Sequence, residues 1–408
     1  MRKSNSILSS FGKNAVHPFP ARMAPRIAFN ALRARQGQLR VLDPMMGSGT
    51  VLSIARALGH DAQGVDIDPL AVLISKVWTT PITPKEITEA AECVLADAHL
   101  AFRIQTLSDA YYPGSDDETK LFTRYWFDPL VRKQMACLVR GIAAVRDVTT
   151  RNLLWCAMSR MIITKATGVS LAMDLSHSRP HKVYERAPVK PFDRFLDAVA
   201  HVVKNCPQIG DGIIAAANPS LGDARHLIIP DKTIDIVITS PPYLNAIDYM
   251  RCSKFSLVWM GYSVSQIRNI RGESIGAEAK LKLERNKDVI DEVLADLKVI
   301  SKLSNRHVGM LRRYILDLHE SLREVSRVLV HGGEAVYVIG DSTLKGTFIR
   351  NSRIVEHVGR LNGLKRTARV TRAIPPNKRY MPPPGANQAG AQMEGRMRKE
   401  VVLSLAKL

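Results

Sequence analysis

The chain lacks the features of membrane, secreted and disulfide-rich proteins. It has no window of about 18 consecutive apolar residues, the length that spans a bilayer. Its N-terminus has no apolar core of about 7–15 residues, which a secretory signal needs. Its five cysteines are odd in number and never form a Cys-x-x-Cys pair. We therefore expect a cytoplasmic protein with reduced thiols, no metal site and no contact with a membrane.

Acidic side chains are scarce relative to basic ones. The 408 residues include 58 Lys and Arg but only 38 Asp and Glu, which gives a formal net charge of +20. This excess is larger than solubility requires, and it favours a phosphate-rich partner. The share of apolar residues, 46%, is ordinary for a globular chain. The composition thus excludes wholesale disorder, a coiled coil and a collagen-like fibre, and it predicts a nucleic-acid partner.

The first 79 residues alternate between strand and helix patterns. A short apolar run at 39–43 is followed by a glycine-rich turn, a helical pattern at 50–59 and a second strand pattern at 61–66. A doubly wound parallel sheet typically begins with a strand, a glycine-rich turn, a helix and a second strand that ends in an acid. We therefore predict an α/β fold with helices on both faces of the sheet.

The middle of the chain has a different pattern. It predicts helices at 84–99, 118–148, 152–164 and 192–205. This block is too long for a crossover within one sheet, so we predict an inserted helical subdomain over 80–216. It would separate an N-terminal part, 1–79, from a C-terminal part, 217–408. Strand patterns resume in the latter, at 221–225, 234–238, 334–340, 366–373 and 400–406.

Two strand ends carry residues suited to a ligand with ammonium or hydroxyl groups. In the segment 43–50, Asp-Pro-Met-Met-Gly-Ser-Gly-Thr, the glycines allow close approach of the backbone. No Lys follows the last glycine, so the segment is not a phosphate loop. Asp66 ends the second strand and suits the hydroxyls of a ribose, whereas Asp68 suits a helix cap. The alternative for 43–50 is a structural turn without a cofactor.

The segment Thr239-Ser-Pro-Pro-Tyr243 is the most specific one. Two prolines directly after an apolar strand end its pairing and make a rigid turn, at the edge where such sheets bind ligands. Ser240 and the Pro241 carbonyl can accept the two N–H bonds of an exocyclic amine, and Tyr243 can stack on a base. The alternative is a structural turn. Asp223 is either a turn residue or an acceptor for an adenine amino group.

Taken together, these segments resemble those of S-adenosylmethionine-dependent DNA amino-methyltransferases, which act on cytosine N4 or adenine N6. Residues 43–50 resemble the cofactor loop, and 239–243 resemble the catalytic tetrad with its preceding Thr. Residues 17–25 are similar to the segment that closes over the methionine end of the cofactor. The likeness covers about 10–79 and 217–408. It implies a Rossmann-like methyltransferase sheet, with the insertion where some members carry a target-recognition region.

The resemblance also implies roles for individual residues. Target-amine binding and catalysis fall to Ser240, Pro241, Pro242 and Tyr243. Binding of S-adenosylmethionine falls to Phe19, Asp43, Pro44, Gly47, Gly49, Thr50, Asp66, Ile67 and Asp223. A Ser at the head of the tetrad favours cytosine N4, with adenine N6 as the alternative. No Pro-Cys pair occurs, so the covalent route to cytosine C5 lacks its nucleophile.

The expected partner is double-stranded DNA whose target base is flipped out of the helix. The basic loop and insertions predict DNA contacts at His177, Arg179, His181, Lys182 and Arg271. They also predict phosphate contacts at Arg132, Lys133, Arg140, Arg268, Arg312 and Arg313. A restriction endonuclease acting on the same site is a second expected partner, and the sequence does not indicate an oligomeric state. An RNA base-amine methyltransferase and a non-catalytic nucleic-acid-binding protein stay open as alternatives.

Overall fold

A computed structural model describes most of the chain. The described residues are 14–20, 22–176, 180–213, 215–244, 250–277, 286–344, 346–374 and 399–408. The helices are α1 (Pro25–Leu32), α2 (Thr50–Ala57), α3 (Pro69–Thr79), α4 (Pro84–Phe102), α5 (Asp117–Trp126), α6 (Pro129–Ala144), α7 (Val148–Ile162), α8 (Pro191–Asn205), α9 (Met250–Leu257), α10 (Val264–Glu273), α11 (Lys287–Leu297), α12 (Asn305–Val328) and α13 (Asn351–Leu361).

The strands form one large sheet and one small hairpin within the described residues. They are β1 (Arg40–Asp43), β2 (Asp61–Asp66), β3 (Ala217–Leu221), β4 (Ile234–Thr239), β5 (Leu329–Ile339), β6 (Ser342–Leu344), β7 (Thr347–Ile349), β8 (Leu364–Ala373) and β9 (Lys399–Lys407). The sheet order is β3-β2-β1-β4-β5-β9-β8, and β6 pairs with β7. All neighbours in the large sheet are parallel except those of β9.

The strand order reverses between β1 and β4. These strands are parallel neighbours, with Leu42 opposite Val237, although the whole helical block lies between them in sequence. Ligands bind where the order of such a sheet reverses, outside the carboxyl ends of the strands. The topology therefore brings the end of β1, at Asp43, beside the end of β4, at Thr239.

Helices cover both faces of the sheet because alternate strand residues point to opposite sides. Val41 and Ile236 pack against α1 and α2 in one core. Their neighbours Leu42 and Val237 pack against α12 and α13 in another core. The predicted fold class, a Rossmann-like sheet with helices on both faces, is confirmed.

The helical block, α4–α8, has a third core, which it shares with α3 and α9. The prediction of one continuous helix over 118–148 is wrong, because the chain breaks between α5 and α6. Asp128 accepts a hydrogen bond from the backbone N–H of Val131 at 2.9 Å, and Pro129 begins α6. An acidic N-cap followed by proline is a strong helix start. The predicted strand at 221–225 is also displaced, since β3 ends at Leu221 and leaves Asp223 in the following turn.

The described residues include no helix that is both long and apolar enough to cross a membrane. Across the same residues, no group of three or more His, Cys, Asp or Glu side chains is placed to hold a metal ion. Cys93 is exposed, and the other four cysteines are buried.

Candidate active site

The loop between β1 and α2 depends on two glycines for different reasons. Gly49 has a φ of +80°, and a Cβ there would lie 2.6 Å from Oγ of Ser75, so no other residue fits. Gly47 has a φ of +50°, and a Cβ there would meet only the ring of Phe19, at 3.8 Å. Gly49 thus fixes the loop against α3, whereas Gly47 marks the place where a ligand can approach the backbone.

Asp66, at the end of β2, holds this loop in place. Its carboxylate accepts hydrogen bonds from the backbone N–H of Gly47, at 2.8 Å, and from that of Asp68, at 2.9 Å. From the other side, Ser75 Oγ donates to the Gly47 carbonyl at 3.0 Å. The ends of β1 and β2 therefore form one rigid unit around the half-buried Gly47.

The predicted cofactor residues divide into half-buried and buried groups. Gly47, Asp66 and Ile67 are half-buried and can meet a ligand directly. The others near the loop are buried and shape it from behind: Pro44, Gly49 and Thr50. Phe19 is only 5% exposed, and its ring lies beside Gly47.

Three carboxyl groups surround this loop in a poorly solvated region. Burial raises the pKa of Asp43 to about 7, although a hydrogen bond from Thr239 opposes the shift. Burial and the nearby Asp66 raise the pKa of Asp68 to about 7, and burial also raises the pKa of Asp66. Desolvated carboxylates favour a ligand with positive charge or hydroxyl donors. These residues therefore fit S-adenosylmethionine, which carries an ammonium, a sulfonium and ribose hydroxyls.

A hydrogen bond joins the cofactor loop to the Pro-Pro-Tyr turn. Thr239 Oγ1, at the end of β4, donates to Asp43 Oδ1 at 2.7 Å, and the same oxygen accepts from the Met45 backbone N–H at 3.2 Å. Both Thr239 and Asp43 are buried. The two motifs with the most specific sequence signals are therefore in direct contact.

The Pro-Pro-Tyr turn is supported by strands and helices distant in sequence. Ser240 Oγ donates to the Val338 carbonyl of β5 at 3.0 Å and lies 3.4 Å from the Tyr243 hydroxyl. Tyr314 of α12 donates to the Pro242 carbonyl at 3.1 Å. Because the proton of Ser240 is directed to Val338, Tyr243 can donate to one lone pair of Ser240, and the other lone pair is left to accept from a ligand.

No sequence pattern indicates Val338 and Tyr314 as supporting residues. Val338 and Tyr314 lie 98 and 72 positions away from their partners, so no local pattern signals them. Arg225 is different, because it stands two positions after Asp223 and could have been paired with it from the sequence.

Asp223 is bound to Arg225 in the structure. The guanidinium donates to both Asp223 oxygens, at distances from 2.7 to 3.1 Å, and also to Asp317 at 2.7 Å. Burial acts to raise the pKa of Asp223, but the hydrogen bonds and charge of Arg225 outweigh it and lower that pKa. Contact with an adenine amino group stays a prediction, since the carboxylate already accepts from a strong donor.

The predicted DNA-contacting residues lie in different environments. His177 and Arg179 fall outside the described residues. His181 and Lys182 are exposed, and Lys182 Nζ lies 5.4 Å from the ring centre of Tyr125. Arg271 is exposed on α10.

The prediction that Arg132 contacts a phosphate is wrong. Its side chain is buried, and its guanidinium donates to the Tyr111 hydroxyl at 2.7 Å. Lys133 is half-buried and lies over the ring of Phe102, 4.7 Å from the centre. Both side chains pack against the helical block. The charge pattern alone did not indicate this packing.

The sheet has the strand order of a Rossmann-like fold, and the two motifs meet at its carboxyl edge. No protein-family model matches it. The Type II methyltransferase M.MvaI of Kocuria varians is 23% identical over 402 residues, covering 89% of this chain and 84% of that protein. The Type II methyltransferase M.BsoBI of Geobacillus stearothermophilus is 22% identical over 280 residues, covering 61% and 52%.

A solved TehB-like S-adenosylmethionine-dependent methyltransferase of Corynebacterium glutamicum aligns with 98% of this chain and 93% of its own length. Its identity is 9% and its TM-score 0.31. The curated relatives confirm the predicted class, an S-adenosylmethionine-dependent DNA methyltransferase, and with it the predicted cofactor.

Replacing Asp43 by Asn should stabilise the protein above neutral pH. The folded-state pKa of about 7 exceeds the unfolded value of about 3.9. Ionisation of Asp43 therefore lowers the free energy of unfolding as pH rises from about 4 to 7. Above pH 7 this loss of stability is complete. We expect Asp43→Asn to raise the free energy of unfolding at pH 8 by about 1–3 kcal/mol.

Urea unfolding between pH 5 and pH 8 measures this effect, and the gain should shrink as the pH falls. The control is Asp97→Asn, which makes the same substitution on the exposed face of α4. A wild type that is more stable than Asp43→Asn at pH 8 contradicts the assignment.

Replacing Asp223 by Ala should destabilise the fold, because it removes one partner of a buried guanidinium. Arg225 is 9% exposed and Asp223 is 28% exposed. We expect a loss of about 1–3 kcal/mol in the free energy of unfolding. The matched control is Asp231→Ala, which removes a mostly exposed partner of Arg327 and should cost less than about 1 kcal/mol. Equal effects of the two substitutions would refute a structural role for Asp223.

Proposed function

We propose that this chain transfers a methyl group to the exocyclic amine of a base flipped out of double-stranded DNA, with cytosine N4 as the target atom. The observation that carries the proposal is the acceptor geometry of Ser240. Its hydroxyl proton is directed to the Val338 carbonyl, so the oxygen can accept a hydrogen bond from the target amine. This turn is joined to the cofactor loop through Thr239 and Asp43.

The turn can prepare the amine for attack. The lone pair of an exocyclic amine is delocalised into its ring, and hydrogen bonds to both amine protons favour a pyramidal nitrogen. Ser240 Oγ and the Pro241 carbonyl supply two acceptors on a rigid frame. The cofactor, when bound, supplies an electrophilic methyl group on a sulfonium. The work of the protein is then to align the amine with that group.

No side chain of the tetrad acts as a base near neutral pH. A Ser hydroxyl has no useful basicity there. Burial raises the pKa of Tyr243 to about 12, only partly offset by its hydrogen bond with Ser240. We therefore propose that the amine proton leaves to water after methyl transfer, and that the ring of Tyr243 stacks on the flipped base.

The choice of cytosine over adenine rests on the first residue of the tetrad, Ser240. Ser240 stands where many adenine enzymes of the resembled family have Asp or Asn, which favours cytosine N4. Adenine N6 is the second candidate, and RNA is the second candidate polymer.

We propose that DNA lies against the helical block, with 80–216 as the target-recognition region between the parts 1–79 and 217–408. The exposed His181, Lys182 and Arg271 suit contacts with phosphates. Since curated relatives are named Type II methyltransferases, we also propose that a restriction endonuclease acts on the same site.

The decisive experiment incubates the chain with methyl-labelled S-adenosylmethionine and mixed DNA and RNA, followed by nucleoside mass spectrometry. We expect N4-methylcytosine in DNA from the wild type. Ser240→Ala should lower kcat about 100-fold, as loss of one polar contact to the reacting group does, while cofactor binding persists. The exposed Ser265→Ala on α10 is the matched control and should leave kcat unchanged. A fully active Ser240→Ala would contradict the mechanism, and N6-methyladenine or methylated RNA would replace the proposed target.

Replacing Lys182 by Gln should weaken DNA binding regardless of base sequence. Loss of one phosphate contact lowers the slope of log affinity against log salt by about one. Fluorescence anisotropy at several salt concentrations measures the slope. Lys85→Gln is the control. Lys85 is also exposed, but its ammonium lies 3.8 Å from the Glu89 carboxylate one turn along α4, so we expect no phosphate contact there. An unchanged slope for Lys182→Gln would remove this residue from the proposed surface.

A further inference from the structure

The segment that covers the cofactor loop is attached to the helical block. Asn14 donates its backbone N–H to Asn205 Oδ1 at 2.7 Å, and Arg160 donates to the Val16 carbonyl at 3.2 Å. Both partners belong to helices of the block, α8 and α7. Phe19, a few residues further on, lies beside Gly47. The helical block therefore positions residues 14–20, called the cover below, beside the cofactor loop.

A buried chain of hydrogen bonds continues from this segment. His17 Nε2 lies 3.0 Å from Ser159 Oγ of α7, and Ser159 Oγ donates to Ser256 Oγ of α9 at 2.8 Å. Ser159 and Ser256 are fully buried, and His17 is 1% exposed. The chain thus joins three parts of the sequence that lie 142 and 97 positions apart.

The direction of these hydrogen bonds is fixed. Burial lowers the pKa of His17 to about 3, assisted by the charge of Arg160, so the ring is neutral. Because the proton of Ser159 goes to Ser256, Nε2 of His17 must carry its own proton and donate to Ser159. The other nitrogen, Nδ1, has no hydrogen-bond partner among the described residues. Ser159 is therefore the contact that orients the ring.

Helix α9 connects this chain of hydrogen bonds to the cofactor side of the site. It is the first described helix after the Pro-Pro-Tyr turn. Its Ser253 donates to Asp68 Oδ2 at 2.6 Å, directly after the end of β2. One short helix thus contacts the cofactor side through Ser253, and it is linked to His17 through Ser256 and Ser159.

We propose that Ser159 is a positioning residue that couples binding of the cofactor to binding of the target base. A cofactor held under the cover fixes His17, and the hydrogen bonds through Ser159 then fix α9, the first described helix after the tetrad. Buried polar chains of this kind respond as a unit, because no water replaces a broken hydrogen bond. The inference rests on the proposed function, since it assumes that this site binds cofactor and DNA together.

The test measures the DNA affinity with and without S-adenosylhomocysteine, the product of the cofactor. The DNA is a duplex containing the site that the wild type methylates. The wild type should bind this duplex about tenfold more tightly when S-adenosylhomocysteine is present, a usual size for coupling between two sites. Ser159→Ala and Ser256→Ala should each reduce the ratio of the two affinities to less than about twofold, and the double variant should do no more than either alone.

Two further variants separate positioning from general stability. His17→Gln keeps an N–H donor for Ser159 and should retain most of the coupling, whereas His17→Ala should lose it. Ser170→Ala removes another fully buried hydroxyl, which donates within its own loop, and should leave the ratio unchanged.

A wild-type ratio near one overturns the proposal. So does a Ser159→Ala protein that binds both ligands more weakly but keeps the wild-type ratio, because Ser159 then has only a structural role. Failure of the proposed function is distinguishable, because in that case the wild type methylates no DNA at all.

Discussion

The hydrogen bond from Thr239 to Asp43 holds the two halves of the site at a fixed distance. It forms because β1 and β4 are neighbours in the sheet although 196 positions separate the two residues. The cofactor loop follows one strand, and the Pro-Pro-Tyr turn follows the other. Methyl transfer requires donor and acceptor atoms to be aligned, and the fixed distance between these strand ends supports the proposed function.

The carboxyl groups around the cofactor loop are poorly exposed to water. Asp43 and Asp68 have pKa values raised to about 7 by burial, so their ionised forms lower the stability of the fold. Such desolvated carboxylates interact strongly with a positively charged ligand. The buried carboxylates thus lower the stability of the ligand-free fold and raise its affinity for a positively charged ligand, as binding sites commonly do.

The helical block is part of the site and more than an appended surface. Its core includes α3, which follows the end of β2, and α9, which follows the Pro-Pro-Tyr turn. It also holds the segment that carries Phe19 over Gly47. Because interiors are close-packed, a displacement of the block on contact with DNA would be transmitted to both motifs.

The sequence by itself determined the sheet class, the glycine-rich loop, the acidic strand ends and the proline turn, because each depends on short-range conformational preferences. It could also have shown the helix break at Asp128 and the pairing of Arg225 with Asp223. Only the tertiary structure decided that Arg132 is buried, that Val338 orients Ser240, and that His17 meets Ser159. These contacts join residues far apart along the chain, and which of them meet depends on how the helices and strands pack.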